Sequence, residues 1–119
     1  MKAPLLDPSV LSALKDLAGP EEAQEFLDEL IDVFSNDVSK DLIKLEDALR
    51  CDDGEQIMHL AHRLKGYSAN LGARTMYELC KSLEDLSRKG GLRLAPPLLE
   101  DLKRNFALVS EKLSSKWHG

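Results

Sequence analysis

The chain has 119 residues, enough for one domain with a single hydrophobic core and too few for several. Its 43% hydrophobic and 31% charged residues are the balance of a soluble globular protein, and the 5% aromatic share, beside abundant leucine, favours helices packed on helices. The net charge of −5, with Lys and Arg interleaved among acids, excludes a nucleic-acid surface, which needs a concentrated basic patch.

Asp7 before Pro8 reads as an N-cap followed by proline at the first helical position, and Val10, Leu11, Leu14 and Leu17 then form a short amphipathic helix ending near Gly19. Pro20 opens a second, whose positive N-terminal end suits Glu21, Glu22 and Glu25. Leu27, Leu30, Ile31, Phe34, Val38, Leu42, Leu45 and Leu49 recur at helical spacing, so this helix is expected over about 20–50. "CDDGE" (51–55) is a clear break. Ile57, Leu60, Leu64 and Leu71 mark a third helix, and "NLGA" (70–73) a short turn in which Gly72 is a natural terminator. Met76, Leu79, Cys80, Leu83 and Leu86 mark a fourth helix, closed by "RKGG" (88–91). After "LAPP" a fifth carries Leu98, Leu99, Leu102, Phe106, Val109 and Leu113, and "SSKWHG" is a polar tail holding His118. No run alternates like a strand. Short connections make consecutive helices antiparallel, so the expected fold is all-α: an up-down four-helix bundle with a short additional N-terminal helix, one domain over 1–119 with its core at about 5–114.

Cys51 and Cys80 lack CxxC spacing and a ligand cluster, and read as reduced thiols. "MKAPLLDPSV" has no apolar run of signal-peptide length and no segment approaches spanning length, so no membrane association and a cytoplasmic location are expected.

The third helix carries the chemistry. At 100° per residue, His62 points about 160° from the mean apolar direction, nearly opposite the core. Met58, Lys65 and Ala69 flank it and Gly66 lies to its other side, leaving a flat, approachable patch around an imidazole. Gly66 brings the helix no local benefit, since glycine costs roughly 1 kcal/mol against alanine in an exposed helix interior. If the hairpin turns near residue 73, positions adding to about 146 lie side by side, so His62 sits level with Glu84 and Arg88 one turn further along. A carboxylate accepting from Nδ1–H would fix the tautomer and leave the Nε2 lone pair outward. A neutral imidazole nitrogen so placed suits nucleophilic attack on activated phosphorus. Lys65 would neutralise phosphoryl oxygens, while Gly66 and Ala69 admit a partner's loops. Glu84 either orients the ring or is merely solvated, and Arg88 either serves the site or favours a helix C-terminus. Met58 suits partner docking because a thioether adapts to varied surfaces. His59 lacks a matching Lys-Gly and reads as a surface residue. Glu55 precedes His59 by four positions rather than the three of a bundle metal site, and His59 faces outward, so no metal site is expected.

"AHRLKGYSANLGA" and the downstream "LCKSLEDLSRKG" resemble histidine-containing phosphotransfer (Hpt) domains, with similarity from about residue 5 to 114. The resemblance implies that His62 accepts a phosphoryl group from a response-regulator receiver aspartate and passes it to another receiver, with Lys65 the accompanying cation and Gly66 the steric relief. Glu84 matches a position often held by Gln or Glu, and Arg88 a nearby basic position. Tyr67 departs from the family's usual small residue. The expected protein is a free-standing, monomeric phosphocarrier without kinase activity. Its partners are receiver domains and hybrid sensor kinases, and it has no cofactor of its own, the Mg²⁺ being supplied in the receiver's acidic pocket. The alternative is a helical adaptor that binds receivers or kinases without being phosphorylated.

Overall fold

A computed structural model describes Asp7, Ser9, Ser12, Ala13, Asp16, Leu17, Gly19 and the continuous stretch 22–118. Four helices follow in order: α1 (Ala23–Arg50), α2 (Gly54–Leu71), α3 (Arg74–Lys89) and α4 (Ala95–His118), with a 3-10 turn at Leu92–Leu94 leading into the last. Each packs on its neighbour in the chain and α4 returns against α1, so α2 and α4 lie on a diagonal. This is an antiparallel four-helix bundle, and among the described residues there is no strand. Ahead of it Ser9, Ser12, Ala13, Asp16 and Leu17 are helical, giving the extra N-terminal helix. Pro8, Val10, Leu11, Leu14, Pro20 and Glu21 lie outside the described residues, as does the side chain of Leu27.

The helical spacing in the sequence becomes the core. Ile31, Phe34, Val38, Leu42 and Leu45 of α1 close on Ile57, Leu60 and Leu64 of α2, Met76, Cys80 and Leu83 of α3, and Leu99, Leu102, Val109 and Leu113 of α4, all buried. Phe34 and Phe106 meet across α1 and α4 with centroids 5.6 Å apart and planes tilted by 51°. Leu17 is different: it is 81% exposed, so its place in an apolar stripe does not become burial, an ordinary fate for a single surface leucine.

α1 begins at Ala23, where Phe26 N–H to Glu22 O, at 3.0 Å, opens the i to i−4 ladder. Two other boundaries differ from expectation. α4 starts at Ala95, before the prolines: Pro96 and Pro97 occupy its first turn, where a missing N–H costs no helical hydrogen bond. The expected polar tail is instead helical through His118, since "SSKWH" contains neither glycine nor proline to stop it. The side chain of His118 lies outside the described residues.

The connections set the register. Asp52 takes a left-handed φ of 55° between α1 and α2, and Asp53 caps α2 by accepting from Gln56 N–H at 3.1 Å. Gly72 ends α2 with φ 69°, and Ala73 N–H bonds back to Ser68 O at 2.8 Å. A two-residue connection of this kind holds α2 and α3 as a tight hairpin.

Candidate functional site

His62 stands on the outer face of α2 with its side chain 70% exposed. Its Nδ1 lies 3.0 Å from Oε2 of Glu84 on α3. Glu84 is on the bundle's inner side, with 8% of its side chain exposed, so it is a buried carboxylate rather than a solvated one. Its other oxygen, Oε1, accepts from Lys65 Nζ at 2.8 Å. One carboxylate therefore grips the imidazole and the ammonium, one oxygen each. Arg88, a turn beyond Glu84 on α3, brings Nη2 to 3.7 Å of Oε2 and Nη1 to 3.9 Å of Asp85. The Lys65 bond above all, and the His62 contact after it, hold Glu84 below the usual carboxylate range although burial pushes the other way. The same bond raises Lys65 above an ordinary lysine.

A carboxylate only accepts, so the Glu84 contact favours the proton on Nδ1, and in a neutral ring the lone pair is then on Nε2. Gly66 follows one turn later and is exposed; a Cβ built there meets no atom within 4 Å. Ala69, another turn on, is also exposed, while Met58 is half-buried one turn before His62. His59 is exposed, 3.9 Å from Glu55. Among the described residues there is no group of three His, Cys, Asp or Glu able to hold a metal.

The helix-wheel placement is correct in outline and incomplete in two places. Lys65 is only 22% exposed at its side chain, because it leans along α2 to reach Glu84 rather than standing free in solvent. Interleaved charges along α1 suggest a solvated face, yet Asp41 is buried and takes a two-bond fork from Arg63, at 2.8 Å to Nε and 2.6 Å to Nη2. Tyr67, the departure from the usual small residue, packs half-buried and donates its hydroxyl to Asp37 at 3.1 Å. Burial first, and then that hydrogen bond, raise the phenol above its ordinary value. A signal for both pairs exists: the α1–α2 break centres on residue 52, so numbers adding to 104 lie level, as 41 with 63 and 37 with 67 do.

A four-helix bundle that presents an imidazole outward with a buried carboxylate behind it has the architecture of a phosphocarrier. Residues 29–112 match the Hpt domain, and the chain belongs to that family. It is 35% identical to histidine-containing phosphotransfer protein B (HptB) from Pseudomonas aeruginosa PAO1, whose crystal structure it matches with a TM-score of 0.87 over 98% of this chain and 97% of that one. No curated protein matched the sequence. The function of the chain is that of an Hpt domain, transfer of phosphoryl groups in two-component signalling. No helix among the described residues is long and apolar enough to cross a membrane.

Proposed function

We propose that His62 is the phosphoacceptor, and that the protein is a monomeric cytoplasmic carrier passing a phosphoryl group between receiver domains, including those of hybrid sensor kinases. The observation that carries this is the Nδ1 contact of an otherwise exposed imidazole with a buried carboxylate, which leaves Nε2 as an outward nucleophile. In the forward step the Nε2 lone pair attacks the phosphorus of a receiver's aspartyl phosphate. An N–P bond forms, the P–O bond to the aspartate breaks, and the aspartate departs as carboxylate. The ring becomes cationic while keeping Nδ1–H, and Glu84 stabilises that charge where it develops. Lys65 spends one of its three N–H donors on Glu84, leaving two for phosphoryl oxygens. The reverse step, onto a second receiver's aspartate, uses the same groups.

The Mg²⁺ this transfer needs belongs to the receiver's acidic pocket, and the exposed cations here offer it no ligands. Gly66 and Ala69 present bare helix to the incoming pocket, Met58 is a flexible apolar contact at its edge, and Arg88 is a second cation beside the phosphoryl group. The test is incubation of wild type and His62→Gln with a ³²P-labelled receiver. Wild type gains acid-labile label and His62→Gln gains none, while its melting temperature stays within about 2 °C, because an exposed ring contributes little to the core. Label on the variant overturns the assignment. Receiver binding without label on either chain makes the protein an adaptor.

A further inference from the structure

Two buried carboxylates grip α2, one from each neighbouring helix. Glu84 of α3 holds Lys65, while on the opposite flank Asp41 of α1 holds Arg63. His62 stands between these two fixed cations. The second of them opens onto a polar groove between α1 and α2, lined by Asp37, Lys40, Asp41, Lys44, Arg63 and Tyr67.

Both carboxylates of this groove are already engaged from within, Asp37 by the Tyr67 hydroxyl and Asp41 by Arg63. Asp41 keeps 4% of its side chain exposed, whereas Arg63 keeps 51%. The guanidinium uses Nε and Nη2 on Asp41, so its Nη1 edge remains available on a cation that is held in place. Lys40 and Lys44, one turn apart on α1, are exposed and have no ion pair among the described residues. Three cations therefore meet two occupied carboxylates, in a chain whose net charge is −5.

The groove sits at the height of the imidazole. In the α1–α2 register residue 62 is level with 42, so Lys40 and Lys44 bracket it. Adjacent helix axes run about 8–10 Å apart. A circular footprint of about 800 Å² centred on His62 has a radius of about 16 Å, enough to extend over the groove. We propose that this α1–α2 groove is an anion-recognition subsite that docks acidic side chains on the rim of the receiver, beside and separate from the phosphoryl chemistry at His62. The proposal rests on His62 being the group the receiver reaches. Exposed charges at an interface rim act mainly on association rate and its salt dependence, so the groove selects receivers by encounter rather than by chemistry.

The test is the double variant K40E/K44E, whose sites are exposed, with R104E on α4, diagonal to α2, as a control. Transfer from a ³²P-labelled receiver is measured at 50 and 500 mM salt, with receiver affinity measured alongside and phosphoramidate, a donor without a docking surface, as the third arm. K40E/K44E is expected to slow transfer about tenfold at low salt and less than threefold at high salt. Phosphoramidate labelling of the double variant and receiver transfer to R104E stay within twofold of wild type. Unchanged transfer at low salt, an equal loss at both salts, or an equal loss with phosphoramidate overturns the proposal. A receiver that binds wild type without labelling it overturns the reading of His62 instead, and the groove then stands or falls on the ratio of the two affinities at low salt.

Discussion

Gly66 separates what the fold needs from what the partner needs. It lies in the interior of α2, exposed, with no left-handed φ to require glycine, and an added Cβ meets nothing within 4 Å. Replacing it by alanine removes backbone freedom from the unfolded chain and improves helix propensity, together about 0.5–1 kcal/mol of added stability. For a chain of this length that corresponds to a rise of about 2–6 °C in melting temperature. Transfer should move the other way. The new methyl group projects one turn from His62 into the space a receiver's loops must occupy, so Gly66→Ala should slow receiver-dependent labelling, and Gly66→Leu should slow it further. Labelling by phosphoramidate should change far less in both variants. A thermal melt and a rapid-quench transfer time course on the same preparations read both effects. Destabilisation by alanine would show that the helix itself needs the glycine, and unimpaired transfer in Gly66→Leu would show that the partner does not; either result refutes the reasoning.

Glu84 ties stability to pH with a definite sign. Its folded pKa is depressed, so its ion-pair contribution is present above the unfolded glutamate value of about 4.3 and disappears as pH falls through the lower folded value. Glu84→Gln should be less stable than wild type at pH 7, with the gap narrowing in urea titrations toward pH 3; a gap that ignores pH counts against the ion pair. Arg63→Ala leaves the Asp41 carboxylate buried without its fork and should cost about 1–3 kcal/mol, half-exposure of the guanidinium keeping it below the full cost of a buried pair. Arg63→Lys should recover only part, because an ammonium cannot form the two parallel bonds; a loss under about 0.5 kcal/mol in the urea midpoint of Arg63→Ala would make the pair incidental. Cys80 is buried with its thiol pushed up to about 12 by desolvation, whereas Cys51 is exposed. Iodoacetamide at pH 8 should therefore modify one thiol per folded chain and two in urea, as counted by mass spectrometry; rapid double modification of folded protein would contradict the packing.

The bundle was legible because its information is periodic. Leucines at three- and four-residue spacing, Gly72 at a helix end and the break at 51–53 fix helix count and direction with little help from tertiary detail. The His62–Glu84 pair was legible for a related reason, since antiparallel helices joined by a short turn put residues of constant summed number side by side. Lys65 was only half legible. A wheel gives the direction in which a side chain leaves the helix, but a lysine stem is long enough to bend back to a buried carboxylate, and no wheel shows that. Asp41 and Arg63 were hidden by composition: in a chain with this many charges, one buried pair looks like all the exposed ones until α1 and α2 are set in register. The prolines at 96 and 97 mislead in the opposite sense, because a helix breaker in the interior is a helix starter in the first turn.

Both halves of the imidazole–carboxylate pair lie on a single hairpin closed by Gly72 and Ala73. Lengthening the links at 51–53 or 90–94 leaves that alignment alone. One residue inserted after Gly72, by contrast, would rotate Glu84 by about 100° around its helix and strand the ring without its anchor. Indels at the two outer links thus spare the imidazole–carboxylate pair, although one at 51–53 shifts Asp41 against Arg63, while the central link behaves as a fixed-length gauge for the site.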